Sequence, residues 1–358
     1  MAAKYTVEFY QLDVINHTFT RIDIVDTFLD LSFYQKLNGI GSCRFKLSVY
    51  DPHASTINLK CFINQIVVKR NGIIKWFGPL TKIHSKFSKD GGYINIEAQT
   101  HLHHFKNRYT QKLKTYTQID AGAMAWDLIN YTQSQNNGWL GVMQGTITPS
   151  YLIDKTHERK SIADAIIELS TLLVQVDFNF DYVIDSNGVL TSIRFNVFYP
   201  FLGTFQNNLN PLVLGDNVQT YELLTDDEIY NACYSIAQGT GSPLEFDGEN
   251  LQSEIGFTRR EYILTKKGIS VYTDLQNVTS QFLKIKSVSN LLFEATLVQD
   301  SHPSIDDFGI GDVLNVNLSL PNGSSFLKQN RMTRVIELSI DVDVNGKENI
   351  IPKLQIVG

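Results

Sequence analysis

Residues 63–99, INQIVVKRNGIIKWFGPLTKIHSKFSKDGGYINIEAQ, decide the fold. Ile63–Lys69 reads as a strand, and Arg70-Asn71-Gly72 turns it back, because Asn and Gly tolerate positive φ. Ile73–Phe77 returns. Gly78-Pro79 interrupts the ladder, since Pro has no N–H to donate. Leu80–Phe87 continues beyond it, Lys89-Asp90-Gly91-Gly92 makes a second turn, and Tyr93–Ala98 closes the unit.

A second stretch carries the same punctuation. Residues 313–357 read VLNVNLSLPNGSSFLKQNRMTRVIELSIDVDVNGKENIIPKLQIV. A strand, an Asn322-Gly323 turn and an irregular segment are followed by a long strand from Met332, an Asn345-Gly346 turn and a closing strand. Little residue identity accompanies this shared order. It suggests two copies of one small barrel or sandwich, although any two antiparallel meanders look alike.

Working outward, Thr6–Leu12 and Thr20–Val25 alternate in part, and Arg44–Tyr50 alternates strictly, so residues 1–106 read as one β domain. The character then changes. Thr117 with Asp120, and Ser161 with Asp164, are helix-start signals, a hydroxyl cap followed by a carboxylate at the positive helix end. Ile119, Ala123, Trp126 and Ile129 follow the first. Ile162, Ala165, Ile166, Leu169, Leu172 and Leu173 follow the second at helical spacing. A hairpin, Gln175–Ile184 and Val189–Tyr199 around Asp185-Ser186-Asn187-Gly188, completes an α+β insertion over 107–212. Residues 213–358 return to strands at Asn217–Leu224, Ile229–Ala237, Leu291–Gln299, Val313–Leu320, Met332–Val344 and Glu348–Val357, with a small insertion near 240–290. The expected fold is mainly β with an α+β insertion: two tube-like β-barrel domains plus inserted decorating modules.

The 358 residues allow two or three domains; 43% are hydrophobic and 19% charged, a globular balance. A net charge of −6 gives no reason for nucleic-acid wrapping, which needs dense Lys and Arg. No segment approaches the ~20 apolar residues that span a bilayer, and Met1–Phe9 reads as a first strand rather than a signal peptide. Cys43, Cys61 and Cys233 form no CxxC pair and fit reduced thiols of a cytosol-made protein.

Chemistry-bearing motifs are few. Asp341-Val342-Asp343-Val344-Asn345-Gly346 copies the first half of a calcium loop, but Pro352 stands where a bidentate Glu belongs, and Asn-Gly favours a hairpin. His101, His103 and His104 form the only histidine cluster. His101 and His103 would share a strand face, with His157-Glu158 the only distant candidate partner; a polar strand end is the plainer reading. Asp226-Asp227 and Asp306-Asp307 are acidic pairs that nothing marks as catalytic. Gly239-Thr240-Gly241 lacks the third glycine and following helix of a nucleotide loop. Trp76-Phe77-Gly78-Pro79 reads as packed aromatics beside a bend. No elbow, Walker loop or H-E-x-x-H appears. We therefore expect no catalytic, metal or cofactor-binding residue, and no enzyme.

The order of several of these features resembles that of tailed-bacteriophage baseplate and tail-tip hub proteins, which are related to the base of the type VI secretion spike. The resemblance runs through Arg44–Tyr50, the strand pair around Asn71-Gly72 and Phe77-Gly78-Pro79-Leu80. It continues through Ser161–Leu173 with its hairpin, Leu214-Gly215-Asp216-Asn217, Asn231-Ala232 and Gly239-Thr240-Gly241. It ends at Gly309-Ile310-Gly311-Asp312-Val313, Arg334-Val335 and the Asn345-Gly346 hairpin. It implies two tube-like β domains assembled as a homotrimer. Three chains with two similar barrels each present six similar surfaces, which suits a hub between a sixfold tube and a threefold tip. The implied partners are a distal-tail or tail-tube hexameric ring, a tape-measure protein and a spike or fibre protein. DNA would pass through the lumen without specific binding. The implied place is the virion tail tip, after synthesis and assembly in the host cytoplasm, with no membrane insertion of its own. Many relatives in siphophages continue into a peptidase or fibre, whereas this sequence stops at Gly358, so cell-wall lysis is not expected. A surface adhesin or carbohydrate-binding β protein is the alternative, and a β-rich glycosidase ranks last for want of a carboxylate pair.

Overall fold

A computed structural model describes residues 3–56, 58–89, 91–172, 176–225, 229–238, 243–250, 258–267, 269, 271–287, 291–318 and 329–357. The Asp226-Asp227 pair, Gly239-Thr240-Gly241 and the Asn322-Gly323 turn lie outside them.

The first seven strands are β1 (Tyr5–Asp13), β2 (Thr18–Val25), β3 (Asp30–Lys36), β4 (Ser42–Ser48), β5 (Asn64–Arg70), β6 (Ile73–Ser88) and β7 (Gly91–Gln99), with a one-turn helix α1 (Pro52–Thr56) between β4 and β5. The β5–β6 turn has Asn71 and Gly72 both at positive φ, 51° and 81°, the conformation a two-residue hairpin of this twist demands. β6 turns a corner. Its first half pairs with β5 and its second half with β7, with a register shift between Leu80 and Lys82. The corner is tight because Gly78 crosses the chain end of β7: a Cβ there would stand 1.9 Å from the Gln99 carbonyl oxygen.

The insertion supplies β8 (Lys114–Asp120), α2 (Ala121–Gln133), β9 (Val142–Ile147), β10 (Leu152–His157), α3 (Ile162–Leu172), β11 (Asp177–Ile184) and β12 (Leu190–Phe198). β8 pairs with β10; β11, β12 and β9 form a separate small sheet. The helix expected from Thr117 starts later. Thr115–Thr117 stay in β8, and Asp120 is the cap, its Oδ1 accepting from the Gly122 and Ala123 amides. Ser161 does cap α3, accepting from the Asp164 amide at 3.3 Å. The insertion is not a loose appendage, since Tyr10, Leu12, Phe19, Val67 and Ile74 of the first strands share its core.

The remaining elements are β13 (Leu212–Val213), β14 (Val218–Thr225), β15 (Ala232–Gln238), β16 (Leu244–Glu249), β17 (Glu261–Lys267), α4 (Tyr272–Lys286), β18 (Leu291–Leu297), β19 (Val313–Leu318), β20 (Gln329–Asp343) and β21 (Glu348–Ile356). The strand expected at Ile229–Ala237 forms, but as the centre of a small sheet β16-β15-β17 under α4.

The large sheet holds the duplication. Its first part runs β3-β4-β7-β6-β5, and its second runs β14-β18-β21-β20-β19, every ladder antiparallel. The chain visits the strands in the same order in both. Even the irregularity repeats: β20 shifts register against β21 between Val335 and Glu337, as β6 does against β7. The parts differ at their far ends, where β1 lies antiparallel on β5 but β13 lies parallel on β19.

The two parts are joined edge to edge. β3 pairs antiparallel with the second half of β20, from Glu337 opposite Lys36 to Asp343 opposite Asp30. Leu31, Phe33, Leu338, Ile340 and Val342 point from this seam into a core common to both parts. Burying each such side chain is worth roughly 1.5–3 kcal/mol before entropy is counted. β3 is not among the strands expected from the sequence.

Candidate functional site

Three features of the fold bear on function: the histidine cluster, the buried ionic nodes and the open sheet edges.

His101, His103 and His104 do not lie on a strand. The chain leaves β7 through Thr100, whose amide donates to the Gly41 carbonyl and whose Oγ1 accepts from the Gly41 amide, and closes into a 3-10 turn over His101–Phe105. His101 is sealed among Phe77, Phe105 and Phe180, with neither ring nitrogen hydrogen-bonded. Burial, helped by Arg108, pulls its pKa down to about 3, so the ring is neutral. His104 stands with its ring centroid 4.9 Å from that of His101 and its Nε2 3.2 Å from Gln65; burial holds it well below the usual histidine range. His103 instead stacks on Phe62. His157 packs edge-on to Tyr116 at the end of β10, its pKa lowered to about 4 by burial. Among the described residues no group of three or more His, Cys, Asp or Glu side chains is arranged to hold a metal.

Asp341–Gly346 is a hairpin. Asp343 Oδ1 accepts from the Asn345 and Lys347 amides at 2.8 and 2.9 Å, and Gly346 takes φ +77° in the turn between β20 and β21. Asp306 and Asp307 are also spoken for. Asp306 bridges Arg70 and Lys75, and Asp307 accepts from the Ser304 amide at 2.7 Å and lies 2.9 Å from His302 Nδ1. Trp76 is buried, its indole N–H donating to the Tyr34 carbonyl at 3.3 Å.

Two ionic nodes escaped the sequence reading. Glu348, the first residue of β21, has a wholly buried side chain that receives Arg70 Nε at 2.7 Å, Arg70 Nη2 at 3.0 Å and the Tyr5 hydroxyl. Arg70 also reaches Asp306. The node thus ties β1 and β5 to β21, and it raises the Arg70 pKa above its ordinary value. The second node centres on Asp177. It accepts from Asn38 Nδ2 at 2.6 Å, the Leu202 amide at 2.8 Å and Arg334, so the insertion is tied to both parts of the large sheet. The signal for the first was available: alternation along Glu348, Ile350, Pro352 and Leu354 places a carboxylate on an apolar face.

Besides the outer sides of β2 and β13, two edges of the large sheet carry no ladder among the described residues. One is the outer edge of the second half of β6, beyond β5; the other is the outer edge of β14. Open edges attract other strands. The solvent face of the sheet between them carries four lysine–carboxylate pairs, with Arg44 and Lys86 exposed on the same face. Lys46 meets Asp30 at 2.5 Å, Lys36 meets Glu337 at 3.2 Å, Lys82 meets Glu97 at 3.4 Å and Lys353 meets Glu294 at 3.5 Å.

No known family's sequence profile matches this chain, and no curated protein matches it. Solved structures do. A tail protein from Neisseria meningitidis MC58 superposes with TM-score 0.62 at 13% identity, over 98% of this chain and 96% of its own. The 43 kDa tail protein of prophage MuSo2 from Shewanella oneidensis gives TM-score 0.63 at 10% identity, over 98% of each chain. A type VI secretion system component of E. coli, itself described as similar in structure to the T4 bacteriophage tail proteins gp27 and gp5, gives TM-score 0.52 at 8% identity, over 93% of this chain and 74% of its own. The architecture is a mainly β one with an α+β insertion. More particularly, it is the fold of these phage-type tail proteins, shared with that component of the type VI secretion system.

Proposed function

We propose that the chain is a structural hub of a phage tail tip or baseplate, a homotrimer whose duplicated sheet forms a pseudo-sixfold ring. The ring joins a sixfold tail tube to a threefold spike or fibre and surrounds the DNA channel. The carrying observation is that one chain holds the same five-strand order twice and welds the two copies edge to edge through β3 and β20. A threefold assembly of such chains offers six near-equivalent docking surfaces.

The dimensions agree with this reading. Eight strands lie on the path from β14 to β6. At ~4.8 Å per strand, three such paths laid end to end run about 115 Å, a cylinder about 37 Å across before strand tilt widens it. That leaves room for a double helix inside the side chains. Four lysines on the sheet's solvent face are matched to carboxylates, which weakens the hold on phosphate of a lumen lined by it, so that DNA passes without specific binding. The partners are a tail-tube or distal-tail ring, the tape-measure protein and the tip protein, and the role is non-enzymatic. No helix among the described residues is long and apolar enough to cross a membrane.

Mass measurement of the full chain, alone and with the tail-tube protein of the same phage, tests the proposal. A trimer that stacks on the tube ring is expected. A chain that stays monomeric under both conditions refutes it.

A further inference from the structure

We infer that the open β6 edge of one copy pairs antiparallel with the open β14 edge of the next, with Lys86 opposite Glu222 and Phe87 opposite Tyr221. The inference rests on the ring reading and specifies its joint.

The register follows from the seam already formed inside each chain. Leu80 and Val335 mark the same shift in β6 and β20, since Leu80 pairs with Ala98 and Val335 with Leu354. Counting on from that shift, Ser85 corresponds to Ile340, Lys86 to Asp341 and Phe87 to Val342. On the other strand, Phe33 pairs with Cys43, which pairs with Ala98. Leu223 pairs with Phe293, which pairs with Leu354. Hence Leu223 corresponds to Phe33, Glu222 to Ser32 and Tyr221 to Leu31. Inside the chain Ile340 faces Phe33, Asp341 faces Ser32 and Val342 faces Leu31. Carried to the open edges, the same register sets Ser85 against Leu223, Lys86 against Glu222 and Phe87 against Tyr221.

The side chains fit what this register asks of them. Val342, covered by β3, is 2% exposed, whereas its counterpart Phe87 is 68% exposed. An aromatic on the core-facing side of an open strand is an unfinished contact, and Tyr221 supplies an aromatic partner of the kind that stabilises cross-strand pairs. Lys86 and Glu222 are both exposed and bring opposite charges together. A slip of one residue would set Phe87 opposite a residue of β14 that points to the other face, and a slip of two would separate Lys86 from Glu222. Homotypic pairing is disfavoured, because two β6 edges would set Lys82 and Lys86 against their own kind. The joint is therefore head-to-tail, which closes a ring instead of a twofold dimer.

Cysteine cross-linking of the full chain, with the exposed Cys61 replaced by serine, tests the register. Directly opposed Cβ atoms lie ~4.5–5.5 Å apart, near enough to the ~3.8 Å of a disulfide for breathing strands to bridge. K86C/E222C is expected to give covalent dimers and closed trimers on mild oxidation. A mixture of K86C and E222C single variants should stop at dimers, and the slipped pair S88C/E222C should cross-link at least tenfold less. Charge reversal by K86E should weaken trimer formation, and K86E/E222K should restore it. A trimer by mass in which K86C/E222C cross-links no better than the slipped pair overturns the joint while leaving the ring standing. A chain monomeric under all conditions overturns both.

Discussion

Replacing Glu348 by alanine strikes the link between the two parts of the large sheet. In the native chain its carboxylate is fully buried and satisfies Arg70 twice and Tyr5 once. The Arg70 side chain is itself only 7% exposed, so it cannot turn to water when its partner goes. Asp306 remains on its other side but is more exposed and already shared with Lys75. Removing one member of a buried pair costs about 3–5 kcal/mol, mostly as the penalty of the stranded charge. For a chain of 358 residues that is a fall of roughly 4–7 °C in melting temperature. Glu348→Ala should therefore melt well below the native protein in differential scanning calorimetry. Glu348→Leu combined with Arg70→Met should recover most of the loss, because no buried charge is left unpaired. A Glu348→Ala variant melting within ~2 °C of native, or a double variant no better than the single one, would show that the node carries no such strain.

Other outcomes follow from the geometry. His101 and His157 are held neutral, at about 3 and about 4, below the ~6.5 of an unfolded chain. The unfolded state thus binds more protons below pH ~6.5, and stability present above that pH should be lost as pH falls toward 4. His101→Phe should flatten the melting-temperature profile there; an unchanged slope would count against it. Gly78→Ala drives a methyl to 1.9 Å from the Gln99 carbonyl, and urea unfolding should register roughly 1–3 kcal/mol of destabilisation or more. In thiol titration of the native protein, Cys61 should react at once and Cys43 only on unfolding, since burial pushes its pKa up. Rapid labelling of Cys43 would mean that the seam opens.

Much of this architecture is written locally. The Asn71-Gly72 and Asn345-Gly346 turns, the Gly78-Pro79 corner and the alternation of β4, β20 and β21 are decided by a few neighbouring residues, and the structure keeps them. β3 was not readable in that way. Only Leu31 and Phe33 mark its buried face, and the strand is defined by β4 on one side and by β20, some three hundred residues on, at the other. The histidines misled for a related reason. Spacing two apart suits a strand, but the backbone had already been turned by the exchange between Gly41 and Thr100, which lies far away in sequence. The nodes at Glu348 and Asp177 likewise join residues that no local window contains together.

The seam between β3 and β20 also imposes a schedule. Its halves leave the ribosome some three hundred residues apart, Asp30–Lys36 first and Glu337–Asp343 much later. Throughout elongation the first half of the molecule carries an uncovered β3 beside an uncovered β6, so one nascent chain resembles a link that fits onto its own kind. The arrival of β20 caps β3 from within. Making β20 is thereby what covers, from within the same chain, an edge that would otherwise be open to a neighbour.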